Sequence, residues 1–207
     1  MGMRAAVFDD WTRGRMAQDG QALVLHIGCG LDSRCNRAGG GNPWVDLDFP
    51  GVIAERRRHF GESENRRMLA GDARQADWLE QLPEAEHAIV VMEGVSMYLT
   101  REELTALLTR LRGRFRRLDV LMDCYTVFAA KASKWKNPVN TVGAHTFYGV
   151  DDPETLAAEA GLRFTAEREL TPPELVAQLQ GFERWFFAHV MAGGMAKKIY
   201  RLYEMTF

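Results

Sequence analysis

The stretch Ala22–Arg34, "ALVLHIGCGLDSR", decides the fold. A mostly apolar run, Ala22–Ile27, enters Gly28-Cys29-Gly30, and the chain then turns polar. Branched and long aliphatic residues favour a buried strand. Glycines after it supply positive φ and let a ligand approach the backbone. Such a strand end suits a nucleotide-like ligand, although two glycines also make an ordinary tight turn.

Working outward, short apolar runs recur at Trp44–Leu47, Arg67–Ala70, Ala88–Met92 and Leu118–Cys124. Helical periodicity lies between them, in "DFPGVIAERRRHF", "ARQADWLEQL" and "TREELTALLTRLRGRF". In the last, Thr100 with Glu103 forms a capping box, and Leu104, Leu107, Leu108 and Leu111 make one stripe. In "DDPETLAAEAG", Asp152 is expected as N-cap, Pro153 as the first helical residue and Gly161 as the stop. "LRFTAEREL" and "KKIYRLYEMTF" read as late strands, with a helical piece at Pro173–Met191 between them. Strands alternating with helices predict an α/β fold, a doubly wound and mostly parallel sheet covered on both faces.

The 207 residues fit one domain, residues 1–207, with 46% hydrophobic and 26% charged residues. A net charge of −2 gives no global field for nucleic acid. Arginine clusters at Arg56–Arg58 and Arg110–Arg117 read as solvated helix ends. Three scattered cysteines, Cys29, Cys35 and Cys124, offer neither a disulfide framework nor zinc spacing, and point to a reduced, cytoplasmic protein. No run approaches ~18 apolar residues, so no membrane span is expected. The histidines show no metal spacing. His26, beside the turn, reads as a packed strand residue.

The second run ends in "VDLD", placing Asp46 and Asp48 about 20 residues beyond the turn, where an acid can accept from ribose hydroxyls. A dinucleotide fingerprint needs a third glycine, and Ser33 stands there instead. Further acids follow the next strands, Asp72 and Glu93. A ring of acids suits a cationic sulfonium and repels a pyrophosphate, which favours S-adenosylmethionine. Asp48 and Asp72 also fit helix caps. Glu93 has the weakest structural explanation, because a lone buried acid is costly. Asp32 reads as the N-cap of the next helix and Arg34 as an ion-pair partner.

"LHIGCGLDSR", "WVDLDFPGVIAERRR", "GDARQADWL" and "VMEGVSMYLTREEL", with "MRAAVFDDWT" and "RLYEMTF" at the ends, resemble the leucine carboxyl methyltransferase family, most of all its bacterial branch of polyketide O-methyltransferases. The resemblance implies a class I methyltransferase (Rossmann-like) fold, with seven strands and the last antiparallel. It implies S-adenosylmethionine as donor and S-adenosylhomocysteine as product. Matched residue by residue, it assigns Gly28 and Gly30 to the cofactor turn and Asp48 to the ribose. Asp72 and Ala73 fall near the adenine, Glu93 near the methionyl part, and Arg4 on the cofactor carboxylate.

Family members carry a long helical segment before this arginine, whereas about 20 residues (1–20) precede the first strand here. Residues 126–149 break the alternation and read as an insertion. That insertion, or a second copy in a homo-oligomer, is expected to close the site. The expected acceptor is the carboxylate of a small polyketide-like acid. A carboxylate with pKa ~4 is ionised at neutral pH, so no catalytic acid–base residue is expected. Tyr98 and Tyr125 follow strands and are candidates to face substrate. His145 would serve as base for a hydroxyl acceptor. A cofactor-binding but inactive partner subunit stays open as a second class, and a dinucleotide oxidoreductase as a remote one.

Overall fold

A computed structural model describes residues 2–133, 147–186 and 198–207. His145 lies outside them, as does most of the expected insertion. The elements in chain order are α1 (Met3–Gln18), β1 (Leu23–Ile27), α2 (Arg34–Ala38), β2 (Trp44–Asp48), α3 (Pro50–His59), β3 (Arg66–Ala70), β4 (His87–Met92), α4 (Arg101–Arg114), β5 (Arg117–Tyr125), α5 (Val127–Ala132), α6 (Pro153–Glu159), β6 (Arg163–Arg168), α7 (Pro173–Val176), α8 (Gly181–Phe186) and β7 (Tyr200–Thr206).

Seven strands form one sheet in the order β3-β2-β1-β4-β5-β7-β6. The first five are parallel, and β7 runs antiparallel to both β5 and β6. Every residue of β1 and β4 is buried, as the continuous apolar runs require of strands covered on two faces. On one face, Phe8 and Trp11 of α1 pack with Val24, Ile89, Val91 and Leu121. On the other, the α4 stripe Leu104, Leu107, Leu108 and Leu111 packs with Leu25, Val90 and Val120. Strand order reverses between β1 and β4, and ligands bind beyond the strand ends at such a point.

The expected capping box of α4 is present: the Glu103 amide donates to Thr100 Oγ1 at 3.1 Å, and the Thr100 amide donates to Glu103 Oε2 at 2.9 Å. Gly161 ends α6 with φ of 70°. Asp152 holds the N-cap position of α6, as expected, although its carboxylate makes no cap hydrogen bond and pairs with Arg101 at 2.9 Å. Three local expectations are corrected. "ARQADWLEQL" yields a short 3-10 helix, Asp77–Gln81, anchored by buried Trp78. The piece from Pro173 divides into α7 and α8, and residues 187–191 lie outside the described residues. Arg56 is fully buried and is no solvated helix end.

Arg56 is buried because Asp46 is. The Asp46 Oδ2 accepts from Arg56 Nη2 at 2.9 Å and Nε at 3.1 Å, and Oδ1 accepts from Trp44 Nε1 at 2.9 Å. Arg56 Nη1 also donates to the Gly30 carbonyl at 3.0 Å, tying α3 to the glycine turn. Burial opposes ionisation of Asp46, yet His26, Arg56 and Trp44 hold its carboxyl down to about 2. Its stabilising contribution is therefore complete above the unfolded value of 3.8 and is lost as pH falls through about 2. Asp46→Ala, which strands the buried Arg56 cation, is expected to cost about 3 kcal/mol or more in urea unfolding at neutral pH, against about 1 kcal/mol for Thr100→Ala.

Candidate active site

Register builds the site. Leu47 pairs with Ile27, Ile27 with Met92, and Met92 with Met122. The next residue on each strand lies on one rim: Asp48, Gly28, Glu93 and Asp123. Four residues scattered over the sequence are thus set side by side by the ladder alone.

At the turn, Gly28 has φ of 67° and Gly30 φ of 49°. A Cβ on Gly28 would fall 2.2 Å from Val95 Cγ2, whereas one on Gly30 would meet nothing within 4 Å. Gly28 is required by the packing of β1 against the β4 loop, and Gly30 leaves open space above the turn. Cys29 between them is buried, and its thiol is pushed up to about 12 chiefly by that burial, so it is no nucleophile.

Two cavities flank the turn and share Gly28. One, of about 340 Å³, is lined by Leu47, Asp48, Phe49, Asp72, Ala73, Val95, Tyr98 and Leu99, among others. The other, of about 280 Å³, is lined by Arg4, His26, Gly30, Asp32, Arg37 and Glu93, among others. The structure brings Arg4, Gly28, Gly30, Asp48, Asp72, Ala73 and Glu93 to these two cavities. Tyr98 lines the first and is 47% exposed. Tyr125 stands behind it, edge-on to Phe147 at 5.7 Å, and Phe147 is 5.4 Å from Tyr98.

The acids are not free. Asp48 Oδ2 accepts the Gly30 amide at 2.8 Å and Oδ1 the Phe49 amide at 2.7 Å; Phe49, not Asp48, holds the cap position of α3. Asp72 accepts from Arg74 Nη2 at 2.5 Å, and that side-chain bond lowers its pKa. Glu93 takes Arg34 Nη2 at 2.5 Å and Arg4 Nε at 2.7 Å. Arg34, fully buried, also meets Asp9 of α1 at 2.8 Å and Asp32 at 3.3 Å. Its expected role as an ion-pair partner holds. Asp32, expected as a cap, instead accepts from Arg37 Nη1 at 2.6 Å, with Ser33 at the cap position of α2. His26 is buried, with Nε2 3.3 Å from Arg34 Nη1.

Sequence reasoning missed Asp123, Arg56, Phe147 and Tyr200. Asp123 carried a signal, an acid inside the buried run of β5. Arg56 carried none, since three consecutive arginines read as solvent-facing. Phe147 and Tyr200 reach Tyr125 only through distant returns of the chain: Val150 donates to the Tyr125 carbonyl at 2.8 Å, and Tyr200 pairs with Tyr125 across β5 and β7.

The leucine carboxyl methyltransferase family matches residues 1–112, more than half of the chain. This chain belongs to the leucine carboxyl methyltransferase family. It is similar to the tetracenomycin polyketide synthesis O-methyltransferase of Streptomyces glaucescens, with 29% identity over 99% of this chain and 77% of that protein. An S-adenosyl-L-methionine-dependent methyltransferase of Gibberella zeae is 31% identical over 70% of this chain and 54% of that protein. Among solved structures, the magnesium protoporphyrin IX methyltransferase of Synechocystis PCC 6803 with bound SAH matches with TM-score 0.59 and 14% identity, over 96% of this chain and 80% of that one. That likeness establishes the fold, a class I methyltransferase sheet. The protein is an S-adenosylmethionine-dependent O-methyltransferase.

The residues present fit the cofactor. The open space above Gly30 leaves room at the turn, and each carboxylate of the site retains acceptor capacity beyond the bonds it makes. Among the described residues no helix is long and apolar enough to cross a membrane, and no metal-binding group of His, Cys, Asp and Glu occurs. In this methyltransferase, Gly28→Ala carries both a strained positive φ and a steric clash with Val95, while Gly30→Ala carries the strain alone. Differential scanning fluorimetry is expected to place the Gly28 variant several degrees below the Gly30 variant, from an added penalty of about 1–3 kcal/mol.

Proposed function

We propose that the two cavities hold the two halves of S-adenosylmethionine, and that the acceptor is the carboxylate of a small polyketide-like acid. The observation that carries this reading is the shared wall: both cavities open from Gly28, with Asp48 on one side and Arg4 and Glu93 on the other. Asp48 is then the ribose acceptor, Asp72 and Ala73 bound the adenine, and Gly28 and Gly30 admit the backbone approach. Arg4 and Glu93 receive the carboxylate and ammonium of the amino-acid end. Bound there, the cofactor supplies a methyl group on a cationic sulfur.

The protein's own contribution is placement and exclusion of water. Tyr98, Tyr125 and Phe147 form an aromatic wall at the first cavity, which Tyr98 lines, suited to hold a flat acceptor and keep it dry. Charge is neutralised as the methyl moves, so a desolvated wall favours the transfer. Nothing in this wall needs to remove a proton from a carboxylate. The chain is read as a single domain, with a second copy closing the acceptor side. Three free thiols, two of them buried, accord with a cytoplasmic setting.

Two measurements test this. Asp48→Ala is expected to weaken S-adenosylmethionine binding in calorimetry by about tenfold or more, the worth of hydrogen bonds to a charged acceptor; unchanged affinity would refute the ribose assignment. At saturating cofactor, transfer to an aromatic carboxylic acid is expected to be flat from about pH 6 to about pH 9, because the acceptor is ionised throughout. A rate that climbs steadily with pH would instead indicate a hydroxyl acceptor. Cofactor binding without transfer to any of a broad acid panel would indicate an inactive partner subunit.

A further inference from the structure

Asp123 closes the rim row on β5, and its side chain is wholly buried. It belongs to none of the motifs that carry the family resemblance. Its two oxygens serve different elements. Oδ1 accepts the Gly94 amide at 2.7 Å, in the positive-φ turn directly after Glu93. Oδ2 accepts from Arg4 Nη1 at 2.7 Å, at the start of α1. Glu93 takes the Nε of the same guanidinium at 2.7 Å, and the Arg4 carbon Cζ lies 5.3 Å over the Tyr200 ring. Two of the three guanidinium nitrogens are thereby fixed. Nη2 has no hydrogen-bond partner among the described residues, and the side chain is 35% exposed.

We propose that Asp123 is a positioning residue: it locks Arg4 to the Gly94 turn so that the guanidinium presents Nη2 to the carboxylate end of the cofactor. This rests on the assignment of Arg4 made above. An arginine side chain has large rotamer freedom, and a carboxylate that holds it in the binding orientation removes that loss from the binding step. Electrostatics alone argue the other way. Two carboxylates already face this guanidinium and would oppose a third, so removing one would tighten binding. The two effects have opposite sign, and the sign is measurable.

The test is calorimetric titration of S-adenosylmethionine into the full chain carrying Asp123→Asn, Arg4→Ala or both. Asparagine keeps the volume and an acceptor for Gly94 but loses the charge on Arg4. Asp123→Asn is expected to weaken binding by about tenfold, the scale of one charge-assisted hydrogen bond. Arg4→Ala should weaken it at least as much, and the double variant no further than Arg4→Ala alone. A second arm uses the wild type. Burial pushes the Asp123 carboxyl up to about 6 against the pull of Arg4, and Glu93, Tyr98, Cys124 and Tyr200 are the other titratable groups that feel it. Protonation removes the charge that holds Arg4, so wild-type affinity should fall from about pH 7.5 to about pH 5.5 while that of Asp123→Asn stays flat. Equal or tighter binding by Asp123→Asn, an undiminished effect in the Arg4→Ala background, or a flat wild-type profile would each overturn the proposal. If Arg4→Ala binds like wild type, the assignment of Arg4 fails first, and the proposal with it.

Discussion

The site depends on one buried cation. Arg34 leaves the glycine turn at the start of α2 and is wholly inside the protein, where an unpaired charge would be prohibitive. It is tolerated because three carboxylates surround it: Asp9 from α1, Asp32 from the turn and Glu93 from the end of β4. One guanidinium thus fixes the distances among the N-terminal helix, the glycine turn and the acid beside it. Arg37 reinforces the same joint by bonding Asp9 at 2.7 Å and Asp32 at 2.6 Å. Arg15 further along α1 pairs with Glu204 and Asp119 of the sheet, but the Arg34 joint is what seats the helix beside the glycine turn.

A second buried pair does the same on the far side of the turn. Asp46 and Arg56 hold α3 under the loop, and Arg56 reaches the Gly30 carbonyl. The turn is therefore clamped from two directions by charges that sequence composition would place in solvent. Buried pairs of this kind add little net stability, because desolvation offsets attraction, but removing one partner is costly. They specify geometry. The acids that suggested an attraction for a cationic cofactor are mostly neutralised by arginines, so the site discriminates by arranged donors and acceptors more than by an excess of negative charge.

The sheet was legible because its signal is redundant. "AIVVM" is apolar throughout, β4 is buried throughout, and the Thr100–Glu103 box marks a helix start by chemistry that has few other uses. Glu93 was legible for the opposite reason, as an acid where burial forbids one without a partner. Asp123 sits in the same situation inside "LMDCY" but lacked a motif to draw attention to it. Asp32 pairs with Arg37 instead of capping α2, and Asp152 stands at the cap of α6 but gives its carboxylate to Arg101, because only tertiary neighbours decide whether an acid before a helix caps it or meets an arginine. The aromatic wall was half visible. Tyr98 and Tyr125 follow strands, but Phe147 and Tyr200 arrive from returns of the chain that no local pattern announces.

Arg34 joins α1 to the strand ends that line the proposed cofactor site. Calorimetric titration of S-adenosylmethionine into Arg34→Lys measures what this joint does for the site, because lysine keeps the charge but cannot reach three carboxylates in fixed geometry. With the far-ultraviolet circular dichroism of the variant unchanged, affinity is expected to be at least about tenfold weaker than wild type. Wild-type affinity in that variant would show that the site does not depend on the Arg34 joint.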